Sequence, residues 1–313
     1  MKTITAPACL PDEDIDPLAG LFLGKKYYDL LIRDEDITVL KPDGSPLLIF
    51  KKGVLPASVC KAAYPALRKV AATEAGNRGM AAGIVQEGEW KLLKRPTIKA
   101  TPNAKVRMKP IKKDGTLSNT SYAKLSPSGV IGFMDRNSRF PYCRLTAFNM
   151  HEPEKFAAAM PFIKAVDDVF KKEMPDRYAA QMDYVKKTSK DFVIHGTAFT
   201  TITINLSFRT AAHKDEGDLK EGFGVISVLR AGNYKGCHLI IPKYRVAVDL
   251  NTQDVLLYDV HEMHSNSPLR GIAGCFERVS CVFYYREMIQ HCGSAKEEQQ
   301  RAMKRKKGDK LHD

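Results

Sequence analysis

The chain has 313 residues, a net charge of +13 and an isoelectric point near 9.3. That length can bury a sizeable core, and no run of about eighteen apolar residues is present, so no membrane span is expected. The N-terminus lacks the basic-then-apolar pattern of a signal peptide, and the basic balance fits either a polyanionic partner or a merely basic protein.

Residues 1–35 carry an acidic start, Asp12-Glu13-Asp14, and little periodicity, and are expected to form an N-terminal arm that packs late or is partly disordered. Thr38–Leu40 and Leu47–Phe50 read as strands. Between them Pro42-Asp43-Gly44 favours a turn, because proline presets one backbone angle and glycine tolerates a positive one. Pro56–Ala72 reads as a packing helix, with Val59, Ala63, Leu67 and Val70 at helical spacing and a kink expected at Pro65. Trp90–Lys113 holds nine basic residues and no acidic one, broken by Pro96, Pro102 and Pro110. Such an extended basic loop suits a phosphate backbone; its alternative is a solvated loop. Gly129–Phe148 reads as strand, turn and strand. Glu152–Lys187 is helical in pattern, with Pro161 and Pro175 expected to divide it.

From Thr201 the period changes to two. Ile202, Ile204, Leu206 and Phe208 alternate with Thr201, Thr203, Asn205, Ser207 and Arg209, the pattern of a half-buried strand. Carried forward, the polar face takes in His213 and Asp215. Asn233–Gly236 reads as a turn, followed by strands over Cys237–Pro242, Tyr244–Leu250 and Asp254–Tyr258. His261 and His264 sit on the exit from the last of these. Arg278–Arg286 reads as extended, with Arg278, Ser280, Val282, Tyr284 and Arg286 on one face. Several short strands separated by turn signals predict a barrel or jelly roll. The end of the chain, from about residue 293, is a basic tail. Seven cysteines, an odd and scattered number without C-x-x-C spacing, predict reduced thiols in an intracellular protein rather than a disulfide framework.

Two patterns carry chemistry. An H-x-D pair, His213-Lys214-Asp215, with a third histidine about fifty residues on, is the ligand set of non-haem Fe(II) oxygenases. Two imidazoles and a carboxylate take one face of the metal and leave the other open. Arg278 and Ser280 form an R-x-S pair on one strand face. Arginine meets a carboxylate with two hydrogen bonds and serine adds a third, which suits the far carboxylate of 2-oxoglutarate. Asn205 and Arg209, on the ligand face, are further candidates for the same co-substrate.

The ordered set of segments resembles the TET/JBP family, most of all its compact phage-encoded members. The resemblance rests on Phe199–Asn205, His213–Asp218, Glu221–Gly224, Leu229–Gly236, Val246–Leu250 and His264–Pro268. Upstream it adds Asn77-Arg78-Gly79, Gly132–Arg136 and Pro141–Arg144, and it runs from roughly residue 35 to 290. It implies an α+β protein with a double-stranded β-helix (jelly-roll) core and supporting helices, in a domain over 36–292. It also implies Fe(II), 2-oxoglutarate and O2, and oxidation of the methyl group of 5-methylcytosine in DNA to hydroxymethylcytosine. The family pattern selects His264 over His261 as the third ligand with His213 and Asp215. It sets Asp218 and Arg286 against the edge of a flipped base, with Tyr284 stacking on it. Asp135, Arg136 and Asn137 either reach that base or serve as ordinary turn residues. Two other readings stay open: a 2-oxoglutarate oxygenase acting on a protein or small molecule, and a DNA-binding jelly roll without catalysis. No obligate protein partner is implied.

Overall fold

The computed structural model describes residues 2–85, 98–101, 104–110, 112, 114–116, 122–137 and 139–304. Its strands are β1 (Lys2–Thr5), β2 (Leu30–Ile32), β3 (Ile37–Leu40), β4 (Pro46–Lys51), β5 (Glu74–Ala75), β6 (Ile98–Thr101), β7 (Ala104–Pro110), β8 (Tyr122–Ala123) and β9 (Ser126–Met134). The second half adds β10 (Arg144–Leu145), β11 (Thr201–Leu206), β12 (Gly224–Gly236), β13 (Leu239–Ile241), β14 (Val246–Val248), β15 (Val255–Tyr258), β16 (Ser265–Asn266) and β17 (Leu269–Tyr284). The helices are α1 (Asp12–Ile15), α2 (Ala57–Ala71), α3 (Ala147–His151), α4 (Pro153–Glu173), α5 (Pro175–Lys187) and α6 (Ala295–Lys304).

A large sheet runs β1-β3-β4-β15-β12-β17-β11-β9-β10, with β5 also paired to β9. A smaller one runs β16-β13-β14-β2. The two sheets face each other. Leu48, Phe50, Ile226, Val228 and Leu256 of the large sheet pack with Leu239, Ile241, Val246 and Val248 of the small one, and this is the jelly-roll core. The outer face of the large sheet is apolar too. Ile202, Ile204, Val225, Leu257, Val279 and Phe283 meet Leu67 and Val70 of α2 and Phe162, Ile163, Val166 and Phe170 of α4. Burial on both faces explains why β15 and the first half of β12, Val225–Leu229, are near-continuous apolar runs.

Close packing of α2 on β9 depends on one glycine. A Cβ on Gly129 would lie 2.3 Å from the Val70 carbonyl oxygen. Gly129→Ala should therefore destabilise the fold by about 1–3 kcal/mol through overpacking. Denaturant titration measures this, and an unchanged midpoint contradicts the packing argument.

Several elements differ from their sequence expectation. Residues 2–35 are woven into the fold: β1 pairs in parallel with β3, and β2 with β14. Ile15, Leu18, Leu23 and Tyr28 pack on Ala212 and Met263. The Asn233–Gly236 turn is instead the end of β12, which resumes pairing with β17 after a bulge at Gly232/Tyr234. Tyr244–Leu250 is not one strand, because Arg245 takes a left-handed φ of 51° and β14 starts only after it. Helix α4 runs through Pro161 and stops before Pro175. An interior proline costs about 3 kcal/mol. Four fully buried side chains on the same helix, at about 1.5–3 kcal/mol each, outweigh that. Cys143 and Cys292 are joined in a disulfide across 149 residues rather than left as reduced thiols. Phe133, Phe192 and Ile289 gather both into one small apolar cluster, which no spacing in the sequence announces.

The backbone of the basic stretch forms β6 and β7, which pair with each other and then with β8. The side chains of Trp90–Pro110, and with them the proposed phosphate contacts, lie outside the described residues, as does the tail beyond Lys304. Among the described residues no helix is long and apolar enough to cross a membrane.

Candidate metal and co-substrate site

Strand β11 stops at Leu206 because Ser207 turns to a left-handed φ of 46°. The two-residue period therefore does not carry His213 and Asp215 into place. Backbone pairing with the segment after β15 does so. His213 and His264 exchange both backbone hydrogen bonds, at 3.0 and 2.9 Å, and the Asp215 N–H donates to Val260 O at 3.0 Å. Ala211 and Ala212, fully buried, tie the approach to Ala81 and Leu21.

The result is a cluster of His213, Asp215 and His264 whose ligand atoms all lie within 4.8 Å of one another. His213 Nε2 is 3.5 Å from Asp215 Oδ1, and His264 Nε2 is 3.6 Å from Asp215 Oδ2. Each imidazole is oriented by its own backbone. Nδ1 of His213 donates to Ala211 O at 2.8 Å, and Nδ1 of His264 to Glu262 O at 3.0 Å. Those bonds place the proton on Nδ1 and turn the Nε2 lone pairs toward Asp215, the arrangement a bound metal needs. Burial and the neighbouring His213 hold the His264 imidazole down to about 4. It is therefore neutral, as a ligand must be. The Tyr258 hydroxyl lies 3.5 Å from His264 Nε2. Its pKa is pushed upward, first by burial and then by Asp215 and Asp218. His261 stands apart, against Asp259 Oδ1 at 3.4 Å and Asp218 O at 3.4 Å.

The cluster opens on a cavity of about 820 Å3. On one side β11 and β17 bring Asn205 opposite Ser280; Asn205 Nδ2 donates to Ser280 Oγ at 3.5 Å, and both line the cavity. Arg278, two residues back along β17, is 3 % exposed. Its Nη2 is buried without a partner among the described residues. A buried guanidinium N–H left without an acceptor is costly and fits an incoming carboxylate. Arg209 does not join this group. Its guanidinium donates to Leu23 O at 2.6 Å and Asn266 O at 3.1 Å and lies over the Phe22 ring.

On the other side the cavity is lined by Asp218, Tyr284 and Arg286. Backbone bridging sets Asp218 beside Arg286. Asp218 is 9 % exposed. Burial first and Asp215 second push its carboxyl well above the usual range, and Arg286 pulls it back. Arg286 is itself held by Asp135, with Nε at 2.8 Å and Nη2 at 2.7 Å from Oδ1. Asp135 thus meets the cavity through Arg286. Arg136 points elsewhere, into an ion pair with buried Glu298. Asn137 closes a turn, its side chain accepting from the Phe140 N–H at 2.8 Å.

Arg78 was not singled out as a site residue from the sequence. Its guanidinium lines the cavity between the two sides, its Nε is buried and unpartnered, and its remaining bonds, to Thr203, Ser128 O and Gly129 O, are long at 3.4–3.5 Å. Asn77-Arg78-Gly79 carries the family resemblance but reads as a flexible loop, with nothing local to say that it folds over β11.

Residues 132–287 match the sequence profile of the TET/JBP oxygenase domain of the 2OGFeDO superfamily. Thymine dioxygenase JBP1 of Trypanosoma brucei brucei is 36% identical over 202 residues, 62% of this chain and 23% of that protein. The bifunctional helicase and thymine dioxygenase JBP2 of Leishmania tarentolae is 34% identical over 161 residues, 51% of this chain and 14% of that protein. The chain thus spans less than a quarter of these relatives. Among solved structures, NgTET1 in complex with 5mC DNA superposes with a TM-score of 0.50 at 12% identity, covering 94% of this chain and 98% of that one. That likeness shows the fold.

Proposed function

The chain belongs to the TET/JBP family of Fe(II)- and 2-oxoglutarate-dependent oxygenases, and we propose that it oxidises the C5-methyl group of 5-methylcytosine in DNA. The observation that carries this reading is the cavity itself, lined by the His213, Asp215 and His264 cluster, by Asn205 and Ser280 on one side and by Asp218 beside Arg286 on the other, with the buried Nη2 of Arg278 two residues behind Ser280.

His213, Asp215 and His264 would hold the iron ion. Arg278 and Ser280, with Asn205 alongside, receive the far carboxylate of 2-oxoglutarate. When bound, iron and 2-oxoglutarate supply an oxidant strong enough for a methyl C–H bond, and the protein supplies position and exclusion of water. A methyl group inside a stacked duplex cannot reach so enclosed a site, so the base must be flipped. Tyr284 offers a ring for it to stack on, and Arg78 a further donor to the ligands at the centre.

Asp218 decides between pyrimidines. Its carboxylate accepts no hydrogen bond from a described side chain and lines the cavity. A buried acceptor in that state favours a donor, and the N4 amine of cytosine is one. Arg286, steadied by Asp135, supplies a donor to the ring carbonyl. Thymine is the second reading, favoured by the thymine dioxygenase relatives. It would require Asp218 in the neutral form, donating to O4, and the upward push on its carboxyl supports that form.

The reading is tested by succinate release with Fe(II) and 2-oxoglutarate, measured without DNA, with an unmethylated duplex and with the same duplex carrying 5-methylcytosine. Release stimulated by the methylated duplex alone is expected. Release indifferent to DNA would point to a protein or small-molecule substrate. No release under any condition would point to a jelly roll without catalysis.

A further inference from the structure

Strand β15 ends on Tyr258, a residue of the jelly-roll core that also lines the cavity. Its place is fixed from both sides, by register with Gly224 of β12 and Leu48 of β4. The ring meets His264 edge-on, at 5.2 Å between centroids and 84° between planes. The hydroxyl faces His264 Nε2 at 3.5 Å, its one hydrogen-bond contact among the described residues. Nδ1 of His264 already donates to Glu262 O, so Nε2 carries a lone pair. A phenol keeps its proton at neutral pH and points it at that lone pair. The same lone pair is the one a metal takes. Once Nε2 is committed in that way, the hydroxyl is left buried without an acceptor, which is costly.

The metal cluster is unevenly braced. His213 is held through Nδ1 by Ala211 O, and His264 through Nδ1 by Glu262 O. The Asp215 carboxylate has no such brace. Among the described residues its oxygens contact only the two imidazoles. A carboxylate that binds a metal is ordinarily held by a hydrogen bond of its own. Other donors nearby are committed elsewhere. Lys214 Nζ donates to Asp16 Oδ1 at 3.1 Å. Arg78 turns Nη1 to Thr203 Oγ1 and Nη2 to the Ser128 and Gly129 carbonyls. Asp215 Oδ2 lies 3.6 Å from the Nε2 atom that the Tyr258 hydroxyl faces. Of the charges acting on that hydroxyl, Asp215 is the largest.

We propose that Tyr258 is a positioning residue of the metal site. With His264 Nε2 committed to the metal, the Tyr258 hydroxyl donates to the Asp215 carboxylate and holds that ligand in place. The inference rests on His213, Asp215 and His264 being the metal cluster. In the sequence Tyr258 closes an apolar run, Val255–Tyr258, and nothing there distinguishes it from a core residue.

Tyr258→Phe removes the hydroxyl and keeps the ring in the core. Affinity is measured by calorimetry on the full chain with Co(II), which binds nitrogen and oxygen ligands more tightly than Fe(II) does. Tyr258→Phe should weaken Co(II) binding by about 10- to 100-fold, the rough cost of removing a partner that braces a ligand. In an Asp215→Ala background the same change should cost nothing further, because two changes that act through one group do not add. Circular dichroism of the metal-free variants checks folding. Unchanged or tighter binding by Tyr258→Phe would overturn the proposal. Equal weakening in both backgrounds would overturn it too, because the hydroxyl would then act by packing rather than through Asp215. His264→Ala tests the cluster beneath it. If that variant binds Co(II) as the parent does, the cluster itself is misassigned and the proposal falls with it.

Discussion

His264→Ala should abolish Fe(II)-dependent turnover, while His261→Ala should retain it. The two histidines are three residues apart, yet only one belongs to the metal cluster. His264 Nε2 stands 3.6 Å from Asp215 Oδ2 with its Nδ1 committed to Glu262 O. His261 spends its ring on Asp259 and the Asp218 carbonyl. Loss of a partner one bond removed from a metal costs 10- to 100-fold in affinity as a rough rule, so removal of a ligand should exceed about 100-fold. Metal titration by calorimetry separates binding from folding, which circular dichroism checks. Equal and complete loss in both variants, each folded, would contradict the assignment.

Asp218→Asn should lower activity on 5-methylcytosine DNA by about 10- to 200-fold, the span of 1–3 kcal/mol for a base-reading contact. Iron and 2-oxoglutarate binding should remain. The amide keeps the size of the side chain but replaces one carboxyl oxygen with an NH2 group, a donor that opposes the N4 amine of cytosine. Single-turnover rates on methylated duplex, read beside co-substrate affinity, distinguish a base-reading role from a turn-forming one. Full activity of the variant would remove Asp218 from base recognition.

Much of this site was legible in the sequence, for identifiable reasons. The alternation from Thr201 to Leu206 put Ile202 and Ile204 on the helix-covered face and Thr203 and Asn205 on the cavity face. The same alternation along β17 and two residues past its end grouped Ser280, Tyr284 and Arg286, all of which line the cavity. Period failed where the backbone left the β region. Ser207 ends β11 at a positive φ, so the expected common face did not extend to Arg209, whose guanidinium went to backbone carbonyls instead. His213 and Asp215 occupy the site through pairing with Val260 and His264, a long-range contact that alternation does not encode. The Asp135–Arg286 ion pair and the Cys143–Cys292 bond likewise join segments about 150 residues apart. Arg78 eluded the reading because its role depends on a loop closing over β11, and local sequence says only that the loop turns.

The cavity is proposed to select 5-methylcytosine in DNA. The most direct measurement is mass spectrometry of nucleosides from one duplex containing both 5-methylcytosine and thymine, after incubation with the protein, Fe(II), 2-oxoglutarate and O2. Hydroxymethylcytosine is expected as the dominant product, lost with His264→Ala and strongly reduced with Asp218→Asn. Hydroxymethyluracil as the main product, with 5-methylcytosine untouched, would contradict it.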